Sequence, residues 1–145
     1  MKKLGILFIA MVAIFVITGC EKVKTYKEGT YSGSVIDTYN NENNTATAKI
    51  VINSKGKIES VELDTTYQGS TKKTLGDNYN MKKFNSSAAG EWYEQVEKLE
   101  AAIVKNNGID FLKLNDDGKT DAVSGCTIKI DALIKAVEDA LSKAE

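Results

Sequence analysis

Seven consecutive residues, Asp121-Ala122-Val123-Ser124-Gly125-Cys126-Thr127, have the side chains from which a phosphate site can be built. They supply two hydroxyls, a glycine and a thiol, behind a carboxylate and ahead of an amphipathic stretch. In that stretch Ile130, Leu133, Ile134, Val137 and Leu141 recur at i, i+3, i+4, i+7 and i+11, the spacing of one helix face. The spacing puts Thr127 at or just before the first helical turn. Backbone N–H groups at a helix start have no partner within the helix and carry the positive end of its dipole, so a glycine-containing turn there can receive an anion. The same residues also make an ordinary helix cap, with Ser124 or Thr127 accepting a backbone N–H and Gly125 turning the chain. The seven residues alone leave both readings open.

The string DAVSGCT resembles the attachment motif of FMN-binding domains in the family of the C subunit of sodium-pumping quinone reductase and the related electron-transport G subunit. That pattern is Asp, two free positions, Ser or Thr, Gly, Ala, Thr, and a flavin transferase can join its last Thr to the phosphate of FMN by a phosphoester bond. Asp121, Ser124 and Gly125 match the pattern, and Cys126 stands where the family has Ala. The resemblance implies FMN as cofactor, its phosphate held by Ser124, Gly125 and the N–H groups of Cys126 and Thr127. Thr127 would be the covalent attachment residue, and Asp121 would hydrogen-bond the turn or serve the transferase's recognition of the motif. The cluster Leu75-Gly76-Asp77-Asn78-Tyr79-Asn80-Met81 is similar to a stretch of small lipoproteins bearing this domain. Tyr67, Tyr79 and Met81 are candidates to line the flat flavin ring, with packing beneath a loop as the alternative for each.

Composition narrows the chemistry further. The chain has no His, and all its basic residues are Lys. Ser-His-Asp and Cys-His catalysis, histidine-ligated zinc and bis-histidine haem are thereby excluded. The acidic turn Asn115-Asp116-Asp117-Gly118 lacks the full spacing and closing Glu of a calcium loop, so no metal site is expected. Cys126 is either a small packed residue or an accessible thiol activated by a helix start.

At the other end, Met1-Lys2-Lys3 precedes an apolar run from Leu4 to Ile17 and then Thr18-Gly19-Cys20. Residues 1–19 read as a signal peptide. The Ile17-Thr18-Gly19-Cys20 end resembles a bacterial lipobox, which implies a lipid on Cys20 and a protein on the extracytoplasmic face of the cell membrane. Residues 20–28 read as the lipidated Cys and a tether, and residues 29–145 as one domain. Without residues 1–19 the chain carries 17 basic and 20 acidic residues, a formal charge of −3, so nucleic acid is not an expected partner. The segment Ala13 to Gly19 also resembles the peptide pheromones released from lipoprotein signal peptides of Gram-positive bacteria.

The elements that must position the motif can be read in outline. Thr30 to Asp37 has strand character, and Thr45 to Ile52 alternates with Ala46, Ala48, Ile50 and Ile52 on one face. Asn53-Ser54-Lys55-Gly56 turns the chain into a third strand, Lys57 to Asp64, whose imperfect alternation predicts a bulge or a switch of buried face. A short helix is possible within Thr71 to Asn80. A longer one starts at Ser86 or Ser87 with the apolar line Trp92, Val96, Leu99 and Ile103, and Ile109 to Leu114 reads as a short strand. The expected fold is α+β, an antiparallel sheet with helices packed on it. The expected function is a lipid-anchored FMN protein that transfers electrons, rather than a catalyst with its own substrate. The resemblance implies as partners the flavin transferase and a membrane quinone-linked reductase or external acceptor. A binding or structural lipoprotein without redox chemistry is the alternative.

Overall fold

The computed structural model describes residues 23–39 and 41–145. Cys20 and the Ala13 to Gly19 segment lie outside the described residues. Among the described residues no helix is long and apolar enough to cross a membrane.

Three antiparallel strands form the sheet: β1 (Gly29–Tyr39), β2 (Glu42–Ile52) and β3 (Ile58–Tyr67), with a two-residue β4 (Ser70–Thr71) at its far edge. The alternation in β2 sends Ala46, Ala48, Ile50 and Ile52 inward while Thr47 and Lys49 stay exposed. In β3 the buried residues are Ile58, Val61, Leu63 and Thr65. The break in their spacing coincides with a shift of register at Val51/Ile52, the expected bulge. Two short helices, α1 (Lys72–Leu75) and α2 (Met81–Phe84), flank a 3-10 turn (Gly76–Tyr79).

Two longer helices cover the apolar face. Helix α3 (Trp92–Asn106) buries Trp92, Val96, Leu99 and Ile103 and packs mainly on β3. Helix α4 (Asp131–Ser142) buries Leu133, Ile134, Val137 and Leu141 against β1 and β2. Each fully buried aliphatic side chain contributes about 1.5–3 kcal/mol, so these two stripes are the main source of stability. The approach of α4 is close: a Cβ at Gly33 would lie 2.0 Å from Ala136 O. Helix α4 also covers the open edge of β1, where the Ser34 N–H donates to Asp139 Oδ2 (3.1 Å) and Lys143 Nζ donates to Ser32 O (2.7 Å).

The α+β arrangement stands as read, with several local differences. The segment read as a tether is partly docked: Tyr26 is buried, its N–H donates to Gly56 O (3.0 Å), and the Lys27 N–H donates to Ala144 O (2.7 Å). An aromatic ring among charged residues has found an apolar niche. No strand forms over Ile109 to Leu114, where the Leu112 N–H closes a turn on Ile109 O (2.9 Å). Helix α3 begins at Trp92, with the Glu91 N–H bonded to Glu94 Oε2 (2.7 Å). Helix α4 begins at Asp131, so Thr127 lies four residues before it.

Candidate functional site

The motif folds as a tight loop. Gly125 has φ +76°, the left-handed region, and a Cβ there would meet Lys98 Nζ at 2.6 Å. The Cys126 N–H donates to Val123 O (3.2 Å), and Cys126 itself is 2% exposed, with burial pushing its thiol pKa up. Thr120, not Asp121, braces the turn, its Oγ1 accepting the Ala122 N–H (3.1 Å). Asp121 and Ser124 are exposed, and neither side chain takes part in the hydrogen bonds found among the described residues.

Thr127 is held differently. Gln95, fully buried on α3, accepts both the Thr127 N–H (2.8 Å) and the Thr127 hydroxyl (3.0 Å) on its Oε1. Its Nε2 donates to Gly90 O (2.8 Å) and lies 3.6 Å from Met81 Sδ. Met81 is fixed in turn by Glu91, whose Oε2 accepts the Met81 N–H (2.8 Å). One amide therefore joins the motif loop, the start of α3 and helix α2.

Thr127 forms part of the wall of a cavity of about 240 Å³. Tyr67, Tyr79 and Met81 line it too, so four of the sequence-predicted residues come together there. Asp121, Ser124, Gly125 and Cys126 do not line it. The two tyrosines meet edge to face, with ring centroids 5.1 Å apart at 83°. Trp92 adds a third aromatic system, and Lys72 Nζ lies 5.2 Å from both the Tyr79 and the Trp92 rings. A second group of lining residues comprises Lys119, Lys129 and the first turn of α4, from Asp131 to Leu133. Ile130 provides no side-chain cap for that helix, so its first-turn N–H groups lack a side-chain partner from the cap. Lys129 Nζ pairs with Asp131 Oδ1 at 3.6 Å.

The sequence left Gln95, Lys72, Lys119 and Lys129 unassigned. Gln95 lies within the α3 pattern as one more polar residue, 32 positions from its partner. The lysines belong to an unremarkable basic composition. The uncapped start of α4 was expected four residues earlier, and the amides expected to receive phosphate at Cys126 and Thr127 are already bonded within the protein.

Chemically, the cavity is lined by the uncapped start of α4, by the ammonium groups of Lys72, Lys119 and Lys129 with the carboxylates of Asp37 and Asp131 among them, and by the rings of Tyr67, Tyr79 and Trp92 and a thioether. A ligand that fits carries a phosphate and a flat conjugated ring. Comparison with curated proteins and with solved structures gave no match. The sequence does match the FMN-binding domain family over residues 43–142, a span that runs from the second residue of β2 to the end of α4 and holds every cavity residue except Asp37 and Tyr39 on β1. The donor set suits FMN, with cations and free amides for its phosphate and Tyr67, Tyr79, Trp92 and Met81 for its ring. The chain belongs to the FMN-binding domain family, and FMN is its cofactor.

Proposed function

We propose that this protein carries electrons on FMN at the extracytoplasmic face of the cell membrane, anchored by a lipid on Cys20, with the FMN phosphate bonded to Thr127. The observation that carries the reading is the position of Thr127: an exposed residue, lining a cavity that Tyr67, Tyr79, Trp92, Lys72, Lys119 and Lys129 line too. Attachment would join the Thr127 Oγ1 to the FMN-side phosphorus of a dinucleotide flavin donor, the donor's bridging P–O bond breaking to release AMP and the hydroxyl proton passing to the transferase or to water. Lys119, Lys129 and the first-turn amides of α4 would then receive the phosphate charge. Exposed and free of internal bonds, Asp121 suits recognition by the transferase better than bracing the turn. When bound, FMN supplies one- and two-electron chemistry, and the protein has to fix it and leave an edge open to a quinone-linked reductase or an external acceptor. Covalent attachment prevents loss of the cofactor from a surface protein by dilution.

The test is an intact mass and a visible spectrum of the chain exported by a host that has a flavin transferase, beside Thr127→Ala. An FMN-sized adduct that disappears in Thr127→Ala is the expected result. A colourless, unmodified protein that also fails to bind added FMN would remove the reading and leave the binding-lipoprotein alternative. The signalling role of Ala13 to Gly19 has its own test: synthetic heptapeptide that evokes no response from responder cells would dismiss it.

A further inference from the structure

Lys72 and Lys73 are neighbours on α1 with opposite surroundings. Lys73 Nζ pairs with Glu100 and so is neutralised against α3. Lys72 enters none of the ion pairs or side-chain hydrogen bonds found among the described residues. Its ammonium lies over two ring systems, 5.2 Å from each centroid, on the wall of the cavity that receives FMN in the proposed reading. A partly buried ammonium without a bonded carboxylate is an energetic cost to the fold that the ring faces offset only in part. Burial lowers its pKa, and the charges of Asp37 and Asp64 act against that lowering. Lys72 instead lies against the rings of Tyr79 and Trp92.

We propose that Lys72 sets the balance between oxidised and reduced FMN in this protein, its charge, held against two rings without a bonded carboxylate, favouring the electron-rich form of the flavin ring. The inference rests on the ring occupying the cavity of the proposed reading. A positive charge beside the ring gains more from a ring that has accepted electrons than from one that has not, so it favours reduction. The phosphate lysines, by contrast, act on a charge that does not change with oxidation state and should leave the balance alone.

The test compares the exported protein with Lys72→Met, Lys72→Arg and Lys129→Met, each loaded with FMN. Affinities for oxidised and for reduced FMN, or the midpoint potential where the cofactor is covalently held, are measured alongside near-UV circular dichroism as a control for packing. In Lys72→Met the preference for reduced over oxidised FMN is expected to fall by about tenfold, equivalent to a potential lower by about 30 mV for a two-electron couple. Lys72→Arg should keep the wild-type preference, and Lys129→Met should weaken both forms equally. An unchanged ratio in Lys72→Met, with or without a loss of affinity, would overturn the assignment by reducing Lys72 to an anchor or a packing residue. If the wild-type protein binds no FMN, the proposed function fails first and this inference with it.

Discussion

The Thr127 hydroxyl and the Thr127 N–H both point at Gln95 Oε1, at 3.0 and 2.8 Å, so one fully buried amide fixes both donors of the residue on the cavity wall. Gln95→Met removes the acceptor while keeping most of the volume. The lost bonds are only part-buried on the Thr127 side, so a cost of about 1 kcal/mol and a lower melting temperature are expected. The Thr127 side chain also loses its fixed rotamer, so flavin attachment should slow in Gln95→Met even at a temperature where the variant is fully folded. Time courses of adduct mass with a flavin transferase check this, and a wild-type rate in folded Gln95→Met would limit Gln95 to a packing role.

Lys72 also predicts a pH dependence. Burial depresses its pKa below 10.5, so the charged form is disfavoured in the folded protein. For a base the sign is that the cost is present below the folded pKa, is relieved as pH rises through it, and vanishes above 10.5, where neither state is charged. Removing the charge in Lys72→Met should therefore change stability relative to wild type most favourably near neutral pH. That relative benefit should shrink as pH climbs from the depressed value to 10.5. Tyr79, raised by burial, stays neutral through most of this window. Melting temperatures of the FMN-free proteins across the range provide the measurement, and a difference independent of pH would mean that the amine is solvated.

The parts of the fold that repeat were legible in the sequence, and the parts that depend on distant pairing were not. Alternation assigned Ala46, Ala48, Ile50 and Ile52 to one face, and helical spacing did the same for Trp92, Val96, Leu99 and Ile103. Periodicity does not locate a helix start, because Ile130 continues the apolar face of α4 while lying outside the helix as its cap residue. Thr127, Tyr67, Tyr79 and Met81 could be singled out by type or motif. Gln95 could not, since a polar residue in a helix carries no mark of a partner in a loop 32 residues on. The tether reading of residues 20–28 missed Tyr26 for a similar reason: its backbone packs on the β2–β3 turn, where a Cβ on Gly56 would meet Tyr26 O at 2.8 Å, and its hydroxyl would lie 3.3 Å from a Cβ on Gly108, which follows α3.

Gly33 is predicted to be irreplaceable for reasons of space alone. Alanine is ordinarily tolerated better than glycine within a strand, but at this position its Cβ would enter the backbone of α4, 2.0 Å from Ala136 O and 2.6 Å from Ala140 N. Backbone cannot step aside as a side-chain tip can, so α4 must move off β1. A loss of about 1–3 kcal/mol or more is expected for Gly33→Ala in denaturant unfolding. Gly69→Ala is the matched control: it has φ +77° and open space around it, and should cost about 1–2 kcal/mol from backbone strain alone. Gly33→Ala should also weaken FMN binding by displacing the start of α4 from the cavity, while Gly69→Ala should not.

Cys126 is predicted to be chemically silent in the folded protein. The thiol is 2% exposed, and burial raises its pKa above the ordinary value, with the Ile128 N–H and the charge of Lys98 offsetting only part of the rise. The thiolate is the reactive form, so both access and ionisation work against modification. A thiol reagent at neutral pH should label Cys126 only as fast as the protein unfolds, with labelling becoming rapid in denaturant. Cys126→Ala restores the residue found at this place in the attachment motif and removes a single buried sulfur. It should cost about 1 kcal/mol or less and leave adduct formation on Thr127 at the wild-type level. Rapid labelling of the native protein would instead place the thiol at the surface of the loop, and faster adduct formation in Cys126→Ala would show that the sulfur hinders the transferase.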